Sequence, residues 1–122
     1  MARILLIDDD DSVRFSLKMA LEDAGYHVTD CADGAAALGR FAAEPADLVI
    51  TDIFMPEKEG IETIHAIKRI RPETRIIAIS GDGRMAPGDY LSIAKQIGAD
   101  DTLAKPFDIQ DLIHLVDRLL DA

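Results

Sequence analysis

At 122 residues the chain has room for one hydrophobic core and not for two. Its 13 Lys and Arg stand against 23 Asp and Glu, a formal charge of −10, which argues against an electrostatic grip on nucleic acid or an anionic membrane and leaves proteins, cations or basic surfaces as partners. No apolar run approaches the roughly 20 residues of a membrane helix and the N-terminus lacks a signal-peptide pattern, so no membrane insertion is expected and the protein is read as soluble and cytoplasmic, with the single Cys31 fitting a reducing compartment.

The chain opens with "RILLI" (Arg3 to Ile7), a continuous apolar run that reads as a strand buried on both faces, and runs straight into four aspartates, Asp8 to Asp11. A helix follows from about Ser12 to Ala24, with Val13, Leu17, Leu21 and Ala24 on one face and Gly25 placed to stop it. "YHVTDC" (Tyr26 to Cys31) alternates like a half-buried or edge strand, and "DGAAALGRFAAE" is an alanine-rich helix that ends before Pro45. "DLVIT" (Asp47 to Thr51) is a third strand, leading through "DIFMPEKEG" into a helix with Ile61, Ile64, Ile67 and Ile70 that ends at Pro72. "RIIAIS" (Arg75 to Ser80) is the fourth strand, the loop "GDGRMAPGD" precedes a helix bearing Leu91, Ala94 and Ile97, and Gly98 closes it. "DTLA" (Asp101 to Ala104) is a short fifth strand, and a helix from about Asp108 to Leu120 turns Ile109, Leu112, Ile113, Val116 and Leu120 inward. Strict alternation of strand and helix implies a doubly wound α/β fold, a five-stranded parallel sheet with helices on both faces, filling residues 1 to 122 with no output domain.

The unusual residues all fall at one kind of place. Asp8 and Asp9 follow the first strand, Asp52 the third, Ser80 ends the fourth and Lys105 follows the fifth. In an open α/β sheet the carboxyl ends of the strands form the ligand crevice, deepest where strand order reverses, and in the order 2-1-3-4-5 that reversal brings Asp8, Asp9 and Asp52 together. Three carboxylates converging in a partly desolvated crevice repel one another, so a bound cation or proton uptake must offset the charge. Hard oxygen ligands with no His or Cys at metal spacing favour Mg2+ over zinc. Lys105 adds a compact positive charge and Ser80 a hydroxyl, both suited to a transferring phosphoryl group, and Asp52 is central enough to be the nucleophile. Asp10 and Asp11 have a plainer role, capping the first helix and complementing its dipole. His27, His65 and His114 belong to no metal or triad spacing and read as surface or packing residues, Cys31 reads as a small core hydrophobe, and "SGDG" lacks the Lys and Ser/Thr of a nucleotide-binding loop.

Together "IDDD", "DLVITD", "MPEKEG" with Pro56 and Gly60, "IIAISG" and "GADDTLAKPF" with Lys105, Pro106 and Phe107 resemble the receiver domain of two-component response regulators, in order and over the whole chain. The resemblance implies that Asp52 accepts a phosphoryl group from a phosphohistidine on a histidine kinase or histidine phosphotransfer protein. It implies Mg2+ held by Asp9, Asp52 and the backbone carbonyl of Phe54, with Asp8 helping through water. It implies further that Ser80 and Lys105 move toward the new phosphoryl group and that the Lys105–Pro106 bond is cis. The protein would then signal to a downstream protein target, by a conformational switch at the face formed by the fourth helix, the fifth strand and the last helix, or relay the phosphoryl group to another histidine.

The chain departs from the family pattern twice. Thr102 stands at the switch position that an aromatic ring usually fills, and "GDGRMAPGDY" (residues 81–90) lengthens the segment before the fourth helix, with Arg84, Met85 and Tyr90 as candidate partner contacts. Two alternatives stand beside the main reading. One is a pseudo-receiver that binds partners without phosphoryl chemistry; the other, an aspartyl phosphohydrolase dependent on Mg2+, needs a second acid/base carboxylate where the sequence has Phe54.

Overall fold

The computed structural model of the protein describes residues 2–53, 59–80, 95–96 and 98–121. Five strands, β1 (Arg3–Ile7), β2 (His27–Cys31), β3 (Leu48–Asp52), β4 (Arg75–Ser80) and β5 (Asp101–Ala104), form one parallel sheet in the order β2-β1-β3-β4-β5. Among the described residues four helices flank it: α1 (Asp11–Asp23), α2 (Gly34–Ala43), α3 (Glu59–Ile70) and α4 (Ile109–Asp121). The doubly wound fold and its strand order are those expected from the sequence. The expected helix bearing Leu91, Ala94 and Ile97, and the loop residues Arg84, Met85 and Tyr90, lie outside the described residues.

Side chains of a strand alternate between the two faces of the sheet, and here the alternation builds two cores. Leu5, Ile7, Val49, Ile76 and Ala78 pack with Phe41 of α2 and with Ile64 and Ile67 of α3. Ile4, Leu6, Leu48, Ile50, Ile77 and Ile79 pack with Leu17 and Leu21 of α1 and with Leu112 and Val116 of α4. Every residue of β3 is buried, which explains why the central strands read as unbroken apolar runs. Each fully buried Leu, Ile or Phe contributes roughly 1.5–3 kcal/mol by leaving water. Cys31 is buried within the first core, as expected for a small hydrophobe, and His27, His65 and His114 are exposed.

The helix ends follow local chemistry. Asp10 caps α1, accepting from the N–H groups of Ser12 and Val13, and Asp33 caps α2 through the N–H of Ala36. Gly25, at φ 101°, lets the N–H of Tyr26 reach the carbonyl of Leu21 while its own N–H bonds Glu22, the paired pattern that closes a helix with a left-handed residue. Two apolar positions of these helices point outward. Ala24 is the exposed C-cap of α1. Ile70 is 49% exposed although Ile64 and Ile67 are fully buried, because a step of three residues falls short of a 3.6-residue turn by about 60° and three steps carry Ile70 to the side opposite Ile61.

Candidate functional site

The register of the sheet decides what meets at its carboxyl edge. Ile7 lies beside Cys31 on one side and Thr51 on the other, Asp52 pairs with Ile79, and Ser80 with Ala104. Asp8 and Asp9 just past β1, Asp52 at the end of β3 and Lys105 just past β5 therefore share one rim. Alternation then selects a face: Asp8 continues the row of Ile4 and Leu6, Asp52 that of Leu48 and Ile50, and Lys105 that of Leu103, all on the side of α1 and α4.

The carboxylates of Asp8, Asp9 and Asp52 each present an oxygen within 4.8 Å of the others. Asp8 and Asp52 are buried, at 1% and 6% exposure, while Asp9 opens to solvent. Lys105 Nζ donates to Asp52 Oδ2 at 3.0 Å and lies 3.6 Å from Asp8 Oδ2. The turn is tied down locally: the Asp8 N–H bonds the Cys31 carbonyl at 3.2 Å, and Asp8 Oδ1 accepts from the Asp10 N–H at 2.9 Å. From α1, Arg14 Nη1 donates to the Asp8 carbonyl at 2.7 Å. Under β3, the Ile53 N–H bonds the Ile79 carbonyl, and Gly60 at the start of α3 packs so tightly that a Cβ there would lie 2.5 Å from the Asp52 carbonyl oxygen.

These contacts set the charge states. Burial pushes the Asp8 carboxyl above its ordinary value, opposed by the Asp10 N–H and by Lys105 and reinforced by the charges of Asp52 and Asp9. Burial works to lower the Lys105 ammonium, but its bond to Asp52 and the charges of Asp52 and Asp8 outweigh it, so Lys105 is raised and stays charged at neutral pH. With all groups ionised, these three carboxylates and one ammonium leave, among the described residues of the cluster, a formal excess of two negative charges. Neighbouring carboxylates about 4 Å apart repel by about 4 kcal/mol at intermediate dielectric. An all-oxygen donor set with that excess fits one hard divalent cation.

The structure thus brings together Asp8, Asp9, Asp52 and Lys105. Ser80 ends β4 on the same rim, with its side chain outside the described set, and Phe54 lies outside the described residues. Thr102 is half-buried in β5 opposite Ala78, on the alternate face from Lys105. The Lys105–Pro106 peptide is cis, as expected. The contact of Arg14 with the turn was not anticipated: its acceptors include a backbone carbonyl, which no residue pattern marks. No described helix is long and apolar enough to cross a membrane.

A family model described as the response regulator receiver domain matches residues 4–117. The chain is 39% identical over 122 residues to the response regulator receiver protein CpdR of Brucella abortus (strain 2308), covering 100% of this chain and 99% of that protein. It is 38% identical to the DNA-binding transcriptional regulator NtrC of Azospirillum brasilense over 99% of this chain, but spans only 24% of that protein. Among solved structures, a response regulator receiver domain protein from Clostridium thermocellum superimposes with a TM-score of 0.89 at 31% identity, covering 99% of this chain and 95% of that one. The BeF3-activated DrrB receiver domain gives a TM-score of 0.88 at 28% identity, covering 100% and 99%.

Proposed function

The chain belongs to the response regulator receiver family, and from that premise we propose that Asp52 is its phosphoacceptor. A carboxylate oxygen of Asp52 attacks the phosphorus of a phosphohistidine on a histidine kinase or histidine phosphotransfer protein. The new P–O bond forms as the P–N bond breaks, the bonding pair leaves with the imidazole, and an acyl phosphate remains on Asp52. Lys105 holds a compact positive charge 3.0 Å from Asp52 Oδ2, ready to pair with a phosphoryl oxygen, and the Ser80 hydroxyl completes the binding of that group. Asp9, Asp52 and the Phe54 carbonyl, with Asp8 acting through water, would hold Mg2+, which when bound neutralises charge on the transferring oxygens. The cis peptide at Pro106 belongs to the turn that carries Lys105.

The observation that carries this reading is the meeting of two buried carboxylates, one exposed carboxylate and one lysine at a single rim of the sheet. Capping alone accounts for none of the three convergent aspartates. Phosphorylation would bias a two-state equilibrium read by a downstream protein target, or precede transfer to a second histidine, within the cytoplasm where histidine kinases present their phosphohistidine. Thr102 supports a second reading, a binding module without phosphoryl chemistry, because a threonine does not sweep out the volume of an aromatic ring.

Intact mass after incubation with acetyl phosphate separates the two. We expect a single phosphoryl adduct that needs both Mg2+ and Asp52, absent with EDTA and absent in Asp52→Asn. A folded wild type that stays unmodified with Mg2+, beside a receiver that reacts, would overturn the phosphoacceptor reading in favour of the second.

A further inference from the structure

We propose that Arg14 is a positioning residue for the cation site, setting the direction in which Asp9 presents its carboxylate; this rests on the receiver reading above. The Arg14 side chain is only 16% exposed, and its guanidinium is spread over three acceptors: the Asp8 carbonyl at 2.7 Å, Asp30 Oδ2 of β2 at 2.9 Å and Asp11 Oδ1 at 2.6 Å. Lys18 Nζ lies 3.3 Å from Asp30 Oδ1 and so steadies the same carboxylate.

The Asp8 carbonyl and the Asp9 N–H belong to one rigid peptide plane. A bond to that oxygen therefore orients the plane from which the Asp9 Cα and Cβ depart. Asp8 needs no such help, since its carboxylate is buried, bonded to the Asp10 N–H and close to Lys105. Asp9 is exposed, so its aim depends on its backbone. The guanidinium geometry matters here: Nε and both terminal nitrogens point to different acceptors, which one ammonium on a shorter stem does not reproduce.

Charge and position make opposite predictions, which gives the idea its test. A cation next to a divalent-ion site repels the ion, so if Arg14 acted by charge alone its removal would tighten Mg2+ binding. If it positions Asp9, removal weakens binding even though a repulsive charge has gone. Groups that orient metal ligands typically change affinity 10–100-fold when lost.

The experiment is calorimetric titration of the purified protein with MgCl2, beside acetyl phosphate labelling at varied Mg2+, for wild type, Arg14→Lys and Arg14→Met. Phe41→Leu, a core change in α2 that touches none of the Arg14 acceptors, controls for lost stability, and circular dichroism checks folding. We expect the Kd for Mg2+ to rise roughly 10-fold in both Arg14 variants. The half-saturating Mg2+ in labelling should move by the same factor, with the rate at saturating Mg2+ near wild type and Phe41→Leu unchanged in Kd. Tighter or unaltered binding in Arg14→Met, wild-type affinity in Arg14→Lys, or equal weakening in Phe41→Leu would each overturn the inference. Should Arg14→Met fail to fold, Arg14→Lys, which keeps the charge, decides alone. A wild type that binds no Mg2+ would instead undo the receiver reading, and this inference with it.

Discussion

The two ends of the sheet carry opposite arrangements of charge. At the carboxyl ends of β1, β3 and β5, Asp8, Asp9 and Asp52 share, among the described residues, one nearby ammonium, Lys105. At the amino ends of β4 and β5 the carboxylate of Asp100 has several donors to itself. Its Oδ2 accepts from the Ile76 N–H at 2.7 Å and lies 3.4 Å from Lys68 Nζ, and its Oδ1 is 3.6 Å from Arg75. Lys68 in turn donates to the Thr74 carbonyl at 2.6 Å and the Pro72 carbonyl at 3.3 Å. The second cluster is closed, each member using another to stitch α3 to the strand starts. Among the described residues the first keeps more carboxylates than nearby ammonium groups, an excess that a bound cation or a proton would relieve. Similar residue types thus serve the fold at one end and chemistry at the other, and the balance of partners distinguishes them.

The comparison is broken most severely where backbone meets backbone. A Cβ on Gly60 would lie 2.4 Å from the Ile53 Cα and 2.5 Å from the Asp52 carbonyl oxygen, and no side-chain rotation relieves contacts with main-chain atoms. Gly60→Ala is expected to cost about 3 kcal/mol in urea unfolding and, by displacing Asp52, to abolish labelling by acetyl phosphate. Stability near wild type would mean that α3 shifts freely against β3.

Asp100→Ala should separate fold from chemistry. It leaves the Ile76 N–H, Lys68 and Arg75 without their shared acceptor, at a cost of about 2 kcal/mol because the carboxylate is largely shielded from water. Labelling of the folded variant should match wild type. Asp8→Asn should do the reverse. Removing one crowded, buried carboxylate is expected to raise the stability of the metal-free protein by about 1 kcal/mol, while the rise in Tm expected when Mg2+ is added to the wild type should shrink sharply. If Asp8→Asn destabilised and Asp100→Ala did not, the assignment of the two ends would be reversed.

Much of this contrast is legible in the sequence, and unevenly so. The run Ile4–Ile7 and the run Leu48–Thr51 mark buried strands, and the aspartates that follow them sit at strand ends whatever the details of packing. Ile70 lies off the buried stripe because spacing by three imitates a helical stripe over two turns and drifts off it by the third. The roles of Arg14 and Asp100 were hidden for a different reason. Arg14 meets Asp30 across 16 residues, through the docking of α1 on β2, and Asp100 meets Ile76 across 24, through the pairing of β4 with β5. The close approach of Gly60 to Asp52 is likewise a product of how α3 docks.

The smallest expected effect contrasts Asp8, just past β1, with Asp30 on the adjacent β2, carboxylates in opposite surroundings. Burial dominates at Asp8 and raises it, so in EDTA the folded protein takes up a proton there more readily than the unfolded chain, whose aspartates titrate near 3.9. The stabilising contribution of Asp8 is therefore complete below that value and is lost as pH rises through the folded pKa. At Asp30 burial also acts upward, but the bonds to Arg14 and Lys18 outweigh it and hold the carboxyl below its ordinary value. Its contribution is present above about 3.9 and is lost as pH falls through the lower, folded pKa. Urea unfolding in EDTA between about pH 3 and 7 should thus show the advantage of Asp8→Asn over wild type growing with pH. The deficit of Asp30→Asn, about 0.5 kcal/mol near neutrality for a pair this close to the surface, should fade toward the acid end. Parallel curves for the two variants would mean that neither carboxylate feels the burial or pairing seen around it, and the charge contrast between the active rim and its flank would lose its energetic meaning.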